Sequence, residues 1–459
     1  MILASAVLVL LGLAACGGGG GGAAEIPPQR ENYYFSGNSS GTGYTLWKSD
    51  GTAGGTVMVK SDVTEPYGFA SLNGMVLFSA STPSHGFELW KTDGTEAGTV
   101  MVKDINPGTG HGDIGDLFLY KNELYFKAND GVHGPELWKT NGTADGTVLV
   151  KDINTGAGGS AVYDVHYHFT LVNDTLFLAA TEGTNGYELW KTDGTAAGTV
   201  RVKDINPGAG DSFPQDMIAF NGQLFFSATD GTNGHELWKS DGTAAGTVMV
   251  WNINPSSSSG PSSFTILNNK LYFVANDGTH GHELWRTDGT DAGTELVKDV
   301  FSGPVQGAMI GGMIAFNGAL YFDGNDGTNG WELWKSDGTV TGTTMVKNIN
   351  TSDNAYPSVF TIYNNALYFT ASDGTGVGGH GEELWKTDGT AAGTLMVKDI
   401  NPGTADSNIS SYGIMIVNDQ LLFAADNGTN GLEIWKSDGT EAGTAMVIDL
   451  RAGSLGGLY

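Results

Sequence analysis

Four aspartates stand six residues before glutamates, at Asp130/Glu136, Asp230/Glu236, Asp277/Glu283 and Asp326/Glu332, and each pair spans a glycine-bearing loop. Carboxylates plus loop carbonyls are the hard oxygen donors that Ca2+ prefers, and glycines let a loop wrap an ion. The spacing is not that of an EF-hand loop. The equivalent segment Ser81–Phe87 carries no aspartate, and a further copy offers Glu182/Glu188 instead. A competing reading is turn chemistry, in which Asp-Gly shapes the loop and the glutamate pairs with a lysine such as Lys139 or Lys239. Calcium is therefore one candidate cofactor among these loops, and no other is indicated.

Histidine and tryptophan supply the other candidates. His166 and His168 lie two apart, on one face of a strand, but two imidazoles fall short of the ligand set of a zinc site. His85, His133, His280 and His380 fill a slot that holds Asn185, Asn233, Asn329 and Asn430 in other loops. That interchange marks a positive-φ or capping position. Trp251 replaces a lysine and Trp331 precedes Glu332; an indole at either place can stack on a sugar face or pack internally. No nucleophile elbow, H-E-x-x-H or helix-opening phosphate loop occurs, so the residues point to a binding protein rather than an enzyme. A polysaccharide-processing site in a central channel is the enzymatic alternative.

The elements that position these residues come from one phrase written nine times. A version of E-L-W-K-[ST]-D-G-T-x-x-G-T surrounds Trp47, Trp90, Trp138, Trp190, Trp238, Trp285, Trp334, Trp385 and Trp435, at intervals of 43 to 52 residues. Such a period means one supersecondary unit copied in tandem. Each copy reads as four short strands. Asn-Gly, Asn-Asn or Asn-Asp pairs, such as Asn221-Gly222 and Asn268-Asn269, suit the positive φ of type I′ turns between the first two. In Leu271–Ala275 both strand faces are apolar, so each sheet must be covered on both sides. The expectation is an all-β fold, a β-propeller of eight or nine four-stranded antiparallel blades built from nine repeats of about 48 residues. Either Leu458-Tyr459 starts a very short strand that closes the ring, or the sequence is a piece of a longer array; an open β-solenoid or two smaller rings are the alternative architectures.

Composition restricts the partners. Twenty-two basic residues face 50 acidic ones, for a net charge of −28. That balance argues against nucleic acid and against anionic membrane surfaces. The expected partner is a glycan or a protein at the cell surface, met by a monomer.

Two resemblances add to this reading. Glu-Leu-Trp at 88–90, 136–138, 188–190, 236–238, 283–285, 332–334 and 383–385, with Thr45-Leu46-Trp47 and Glu433-Ile434-Trp435 as departures, resembles the ELWxxDGT repeat family of bacterial surface and secreted proteins. The likeness covers residues 33–450. It implies a propeller-like extracytoplasmic protein without an assigned catalytic activity, and it brings no functional residues. Residues 2–15 form an apolar run ending Leu13-Ala14-Ala15-Cys16, which resembles the lipobox of bacterial lipoproteins. The resemblance implies a signal peptide at 1–15 and a lipidated Cys16. A glycine-rich tether then runs to residue 32, and the propeller occupies 33–459. Membrane contact would run through the lipid alone. Gly17, in place of the aspartate that retains such proteins at the inner membrane, implies the outer membrane, with the protein facing the periplasm or the cell surface. The expected role is a binding, adhesion or scaffold module, with a calcium-dependent lectin as the alternative.

Overall fold

The structure, a computed structural model, describes residues 32–41, 43–160, 169–303, 307–374, 376, 378–409, 413–453 and 456–458. The strands form eight antiparallel sheets arranged in a ring, a β-propeller. Seven sheets have four strands in sequence order. Copy five is typical, with strands Gln215–Phe220, Gln223–Thr229, His235–Ser240 and Val248–Trp251. First strands of successive copies touch one another, as where Thr265 Oγ1 donates to the Met313 carbonyl at 3.0 Å. They therefore line the axis, and the fourth strands form the rim.

The eighth sheet has six strands: β1 (Tyr33–Gly37), β2 (Thr45–Ser49), β3 (Val57–Leu72), β4 (Met75–Thr82), β5 (His85–Thr92) and β6 (Val100–Lys103). It carries copies one and two together. The reason is the 43-residue interval from Trp47 to Trp90, the shortest of the set. No room remains for the I-N-P-G crossing link of other copies, so the fourth strand of copy one runs on as the first strand of copy two within β3. Eight sheets thus hold nine repeats.

Packing follows the two-sided apolar pattern of the strands. Phe220, Phe225 and Leu237 of copy five meet Leu271, Phe273 and Trp285 of copy six in one dry cluster. Equivalent clusters join every neighbouring pair, and Leu422, Ile434 and Val447 of the last copy pack on Phe35 and Trp47 of the first. Burying such side chains contributes about 1.5–3 kcal/mol each before chain entropy is subtracted. The ring is pinned by Leu458, which bridges antiparallel to Gly37, and by Asn38 N–H, which donates to the Gly457 carbonyl at 2.7 Å. Among the described residues no helix is long and apolar enough to cross a membrane.

The turns take the expected form. Asn268 and Asn269 have φ of 48° and 58°, and Asn364 and Asn365 have 45° and 57°. Strand alternation then divides the loops between two faces. The first turn and the D-G-T-x-x-G-T loop share one face, here called the D-G-T face. The N-D-G-T-x-G loop and the crossing link share the other, the crossing face.

Candidate functional site

The repeated polar residues are engaged inside the structure, and the glutamate of E-L-W shows this most clearly. Glu88, Glu136, Glu188, Glu236, Glu283, Glu332, Glu383 and Glu433 are all fully buried. In each, one carboxylate oxygen accepts the backbone N–H seventeen residues on, at 2.6–2.9 Å, as from Ile105, Ile205 or Leu450. The other oxygen usually accepts the next N–H, as from Asn106 at 3.2 Å and Asn401 at 3.1 Å. In copy five it accepts Ser259 N–H instead, at 3.1 Å. The carboxylate therefore caps the crossing link, whose backbone donors would otherwise be buried without acceptors.

Burial pushes these acids up, to about 7 for Glu88, Glu188, Glu332, Glu383 and Glu433 and to about 8 for Glu283, while the N–H bonds work the other way. Glu136 and Glu236 shift in the same direction. Copy one has Thr45 in place of the glutamate, and it is also the copy without a crossing link to cap. The lysine pairing expected for these glutamates is corrected here. Lys139 pairs with Glu123 at 2.9 Å, and Lys239 donates to the Gly289 carbonyl at 2.7 Å.

The aspartates of the candidate pairs form a second repeated motif. Asp130, Asp230, Asp277 and Asp326 each accept two backbone N–H groups on Oδ1, from the residues two and three further on, at 2.8–2.9 Å. Their Oδ2 atoms meet His133 Nδ1, Asn233 Nδ2, His280 Nδ1 and Asn329 Nδ2 at 2.7–2.8 Å. Partial burial opposes ionisation, yet these donors hold all four carboxyls below the ordinary range. The histidine–asparagine slot is thus a capping position, and the positive φ belongs to the next residue, Gly134 or Gly281. Within each candidate pair the aspartate is held in its turn and the glutamate under the crossing link. Among the described residues, no three His, Cys, Asp or Glu side chains are grouped to hold a metal ion.

The D-G-T loop closes on itself. Asp241 Oδ1 accepts Thr243 N–H and Oγ1–H, Thr243 Oγ1 accepts Gly246 N–H, and Thr247 Oγ1 donates to the Thr243 carbonyl, all at 2.7–3.0 Å. Asn141 does the same work in copy three through its amide oxygen. Such Asx-type bonding explains why Asp, Thr and Gly recur at these offsets.

Basic residues join neighbouring copies in two rows. On third strands, Lys91, Lys191, Lys239, Lys335 and Lys386 donate to the glycine carbonyl of the next copy's D-G-T loop at 2.7–2.9 Å. On fourth strands, Lys103, Lys151, Lys203, Lys298 and Lys347 lie 5.5–5.8 Å from the centroid of the next copy's tryptophan ring. Each also donates to a threonine carbonyl of that copy at 2.6–2.8 Å. Trp251 takes the place of a lysine in this row. Its ring stands 5.7 Å from that of Trp285, so an aromatic contact covers the next tryptophan where a cation does elsewhere. Trp331 is 9% exposed. Cys16, His166 and His168 lie outside the described residues.

What sequence reasoning did not single out is a set of aromatic residues on the crossing face. Phe87 stacks on His111 at 5.4 Å and meets Tyr67 at 5.5 Å, and Tyr187 stacks on Phe213 at 5.7 Å. Tyr356, in the link that follows Trp331, is 51% exposed. The signal was present in the variable residue before E-L-W, which is Phe87, Tyr187 and Trp331 in these copies.

No family model and no curated protein matches the chain. Solved structures similar to it include puromycin hydrolase, at 13% identity and a TM-score of 0.39 over 78% of this chain and 58% of that one. The S511A mutant of that enzyme complexed with PGG matches at 12% identity and a TM-score of 0.39, over 74% and 57%. A structure from a study of two prolyl endopeptidases matches at 11% identity and a TM-score of 0.41, over 82% and 54%. The chain thus spans little more than half the length of these proteins, and likeness at this level carries no argument about activity.

Proposed function

We propose that the protein is a lipid-anchored, extracytoplasmic propeller that works as a binding or scaffold module at the bacterial cell surface, and not as an enzyme. The observation that carries this reading is how the repeated chemistry is used. The glutamates cap links, the aspartates close turns, and the lysines join copies. Residues common to all copies are spent on building the ring, which leaves recognition to residues that differ between copies. Those lie at the start of the third strand and in the crossing links, on one face. Anchoring is supported by the Leu13-Ala14-Ala15-Cys16 sequence, and the glycine-rich segment behind it would serve as a tether between lipid and ring.

The test has two arms. Wild-type protein should take up labelled palmitate and sediment with the outer membrane, and Cys16→Ser should do neither. Immobilised protein should retain a component of purified cell envelope, and substitutions on the crossing face should release it while substitutions on the D-G-T face should not. Loss of retention through the D-G-T face alone would refute the assignment.

A further inference from the structure

We infer that the crossing face binds a neutral polysaccharide through aromatic platforms on copies two, four and seven. This deepens the binding-module reading and rests on it.

The platforms of copies four and seven arise from one backbone arrangement, and that of copy two from a neighbouring link position. The residue before E-L-W offers its carbonyl to the crossing link. Tyr187 accepts Ser212 N–H at 2.9 Å and Phe213 N–H at 3.3 Å. Trp331 accepts Ala355 N–H at 2.8 Å and Tyr356 N–H at 3.2 Å, and Phe87 accepts Gly112 N–H at 2.7 Å. These bonds set a link residue beside the variable residue in each copy. In copies four and seven the second link residue is aromatic, Phe213 beside Tyr187 and the exposed Tyr356 beside the buried Trp331. In copy two His111, one residue before Gly112, accepts the Phe87 N–H on Nδ1 at 3.2 Å and stacks on the Phe87 ring.

Two of these link residues are held against backbone strain. Phe213 has φ of 43° and Tyr356 has φ of 48°. The same position holds Gly260 and Asn408 in other copies, residue types that tolerate the left-handed region. Bulky aromatics there are uncommon, and strain of this kind is concentrated at ligand-contacting sites. Core packing does not account for Tyr356, because half of its surface faces solvent. Tyr67, at 39% exposure, adds a second exposed ring to the platform of copy two.

The chemistry of the surroundings names the ligand. Flat rings accept the C–H faces of pyranoses. Asp211, whose carboxylate accepts Tyr187 N–H at 2.8 Å, and Asn354, whose amide oxygen accepts Trp331 N–H at 2.9 Å, place polar oxygens beside the rings for hydroxyl groups. A net charge of −28 repels uronate and sulfated polymers. Three platforms on one ring favour a long chain that engages several at once, which multiplies modest single-site affinities.

The experiment measures affinity of the full chain, in non-ionic detergent, for hydroxyethylcellulose, galactomannan and laminarin, with alginate as the anionic comparison. At least one neutral polymer should bind and alginate should not. Tyr356→Ala and the pair Tyr187→Ala with Phe213→Ala should each weaken binding about tenfold. Tyr356→Phe, which keeps the ring, should bind like wild type, as should Glu441→Ala on the opposite face. Circular dichroism identifies any variant that has not folded, and Tyr356→Phe guards the conclusion in that case. The inference is overturned if no neutral polymer binds, if alginate binds equally, or if Tyr356→Ala binds like wild type. Envelope retention that persists in the Tyr356→Ala variant would overturn the glycan inference and leave the binding-module reading standing. Absence of both polymer binding and envelope retention would remove both.

Discussion

Replacing Glu188 tests a capping device found in eight of the nine copies. Its carboxylate is fully buried and accepts three donors: Ile205 N–H at 2.7 Å, Asn206 N–H at 3.3 Å and Ser212 Oγ–H at 2.8 Å. Ser212 Oγ also reaches the Tyr187 carbonyl at 2.9 Å, so it keeps a partner when the carboxylate is removed. The two amides do not. Leaving a buried donor unsatisfied costs about 1–3 kcal/mol, so Glu188→Ala should cost about 2–6 kcal/mol locally. Glu188→Gln keeps one acceptor oxygen and turns an N–H2 toward the second amide, for about 1–3 kcal/mol. Global melting is a blunt readout, because a tandem array loses stability copy by copy. Hydrogen exchange reads the link directly. At 1.36 kcal/mol per decade, the amides of Ile205 and Asn206 should exchange about 5- to 150-fold faster in Glu188→Ala. Wild-type exchange at both amides in that variant would refute the capping role.

Other expectations follow from the same contacts. Trp238 is buried beneath Lys203, and Trp238→Ala should cost about 3–5 kcal/mol, visible in denaturant as an early transition of part of the ring. Stability should fall as pH rises. The raised glutamates hold their protons more tightly folded than unfolded, so their contribution is complete below about 4.5 and is lost as pH climbs to about 7–8. His133, His280 and His380, raised by Asp130, Asp277 and Asp373, add a smaller loss in the same direction above 6.5. The lowered D-G-T aspartates oppose this only below about 3.8. A melting series should therefore peak near pH 4–5, and a peak at pH 8 would contradict the burial argument. Calcium at millimolar concentration should leave the melting curve where chelator puts it, because the glutamates of the candidate pairs already accept backbone N–H groups; a clear upward shift in calcium would restore the loops as ion sites.

The fold was legible because its signals are local and repeated. Asn-Asn turns, apolar faces on both sides of each strand and a period near fifty residues all require stacked four-stranded sheets. The merging of copies one and two into a single sheet was foreshadowed only by the short 43-residue interval, since the outcome depends on whether a link can fold back or must run extended. The role of the glutamate was hidden for a different reason. Its partners are backbone N–H groups seventeen and eighteen residues away, and backbone donors leave no mark in a sequence. The same holds for the lysines, whose acceptors are glycine and threonine carbonyls of the next copy. Trp251 broke the pattern visibly, but only the contact with Trp285 shows that the break preserves a cover over the next tryptophan. The crossing-face aromatics were visible as residues and not as platforms, because the rings meet across a link of more than twenty residues.

In the proposed division of labour, repeated residues build the ring and variable residues recognise a ligand. Its most direct test measures unfolding and envelope retention side by side for Trp238→Ala and Tyr356→Ala. Trp238→Ala should unfold early, while Tyr356→Ala should unfold like wild type and lose retention. A Tyr356→Ala variant that retains envelope material normally, paired with a Trp238→Ala variant of wild-type stability, would contradict the account.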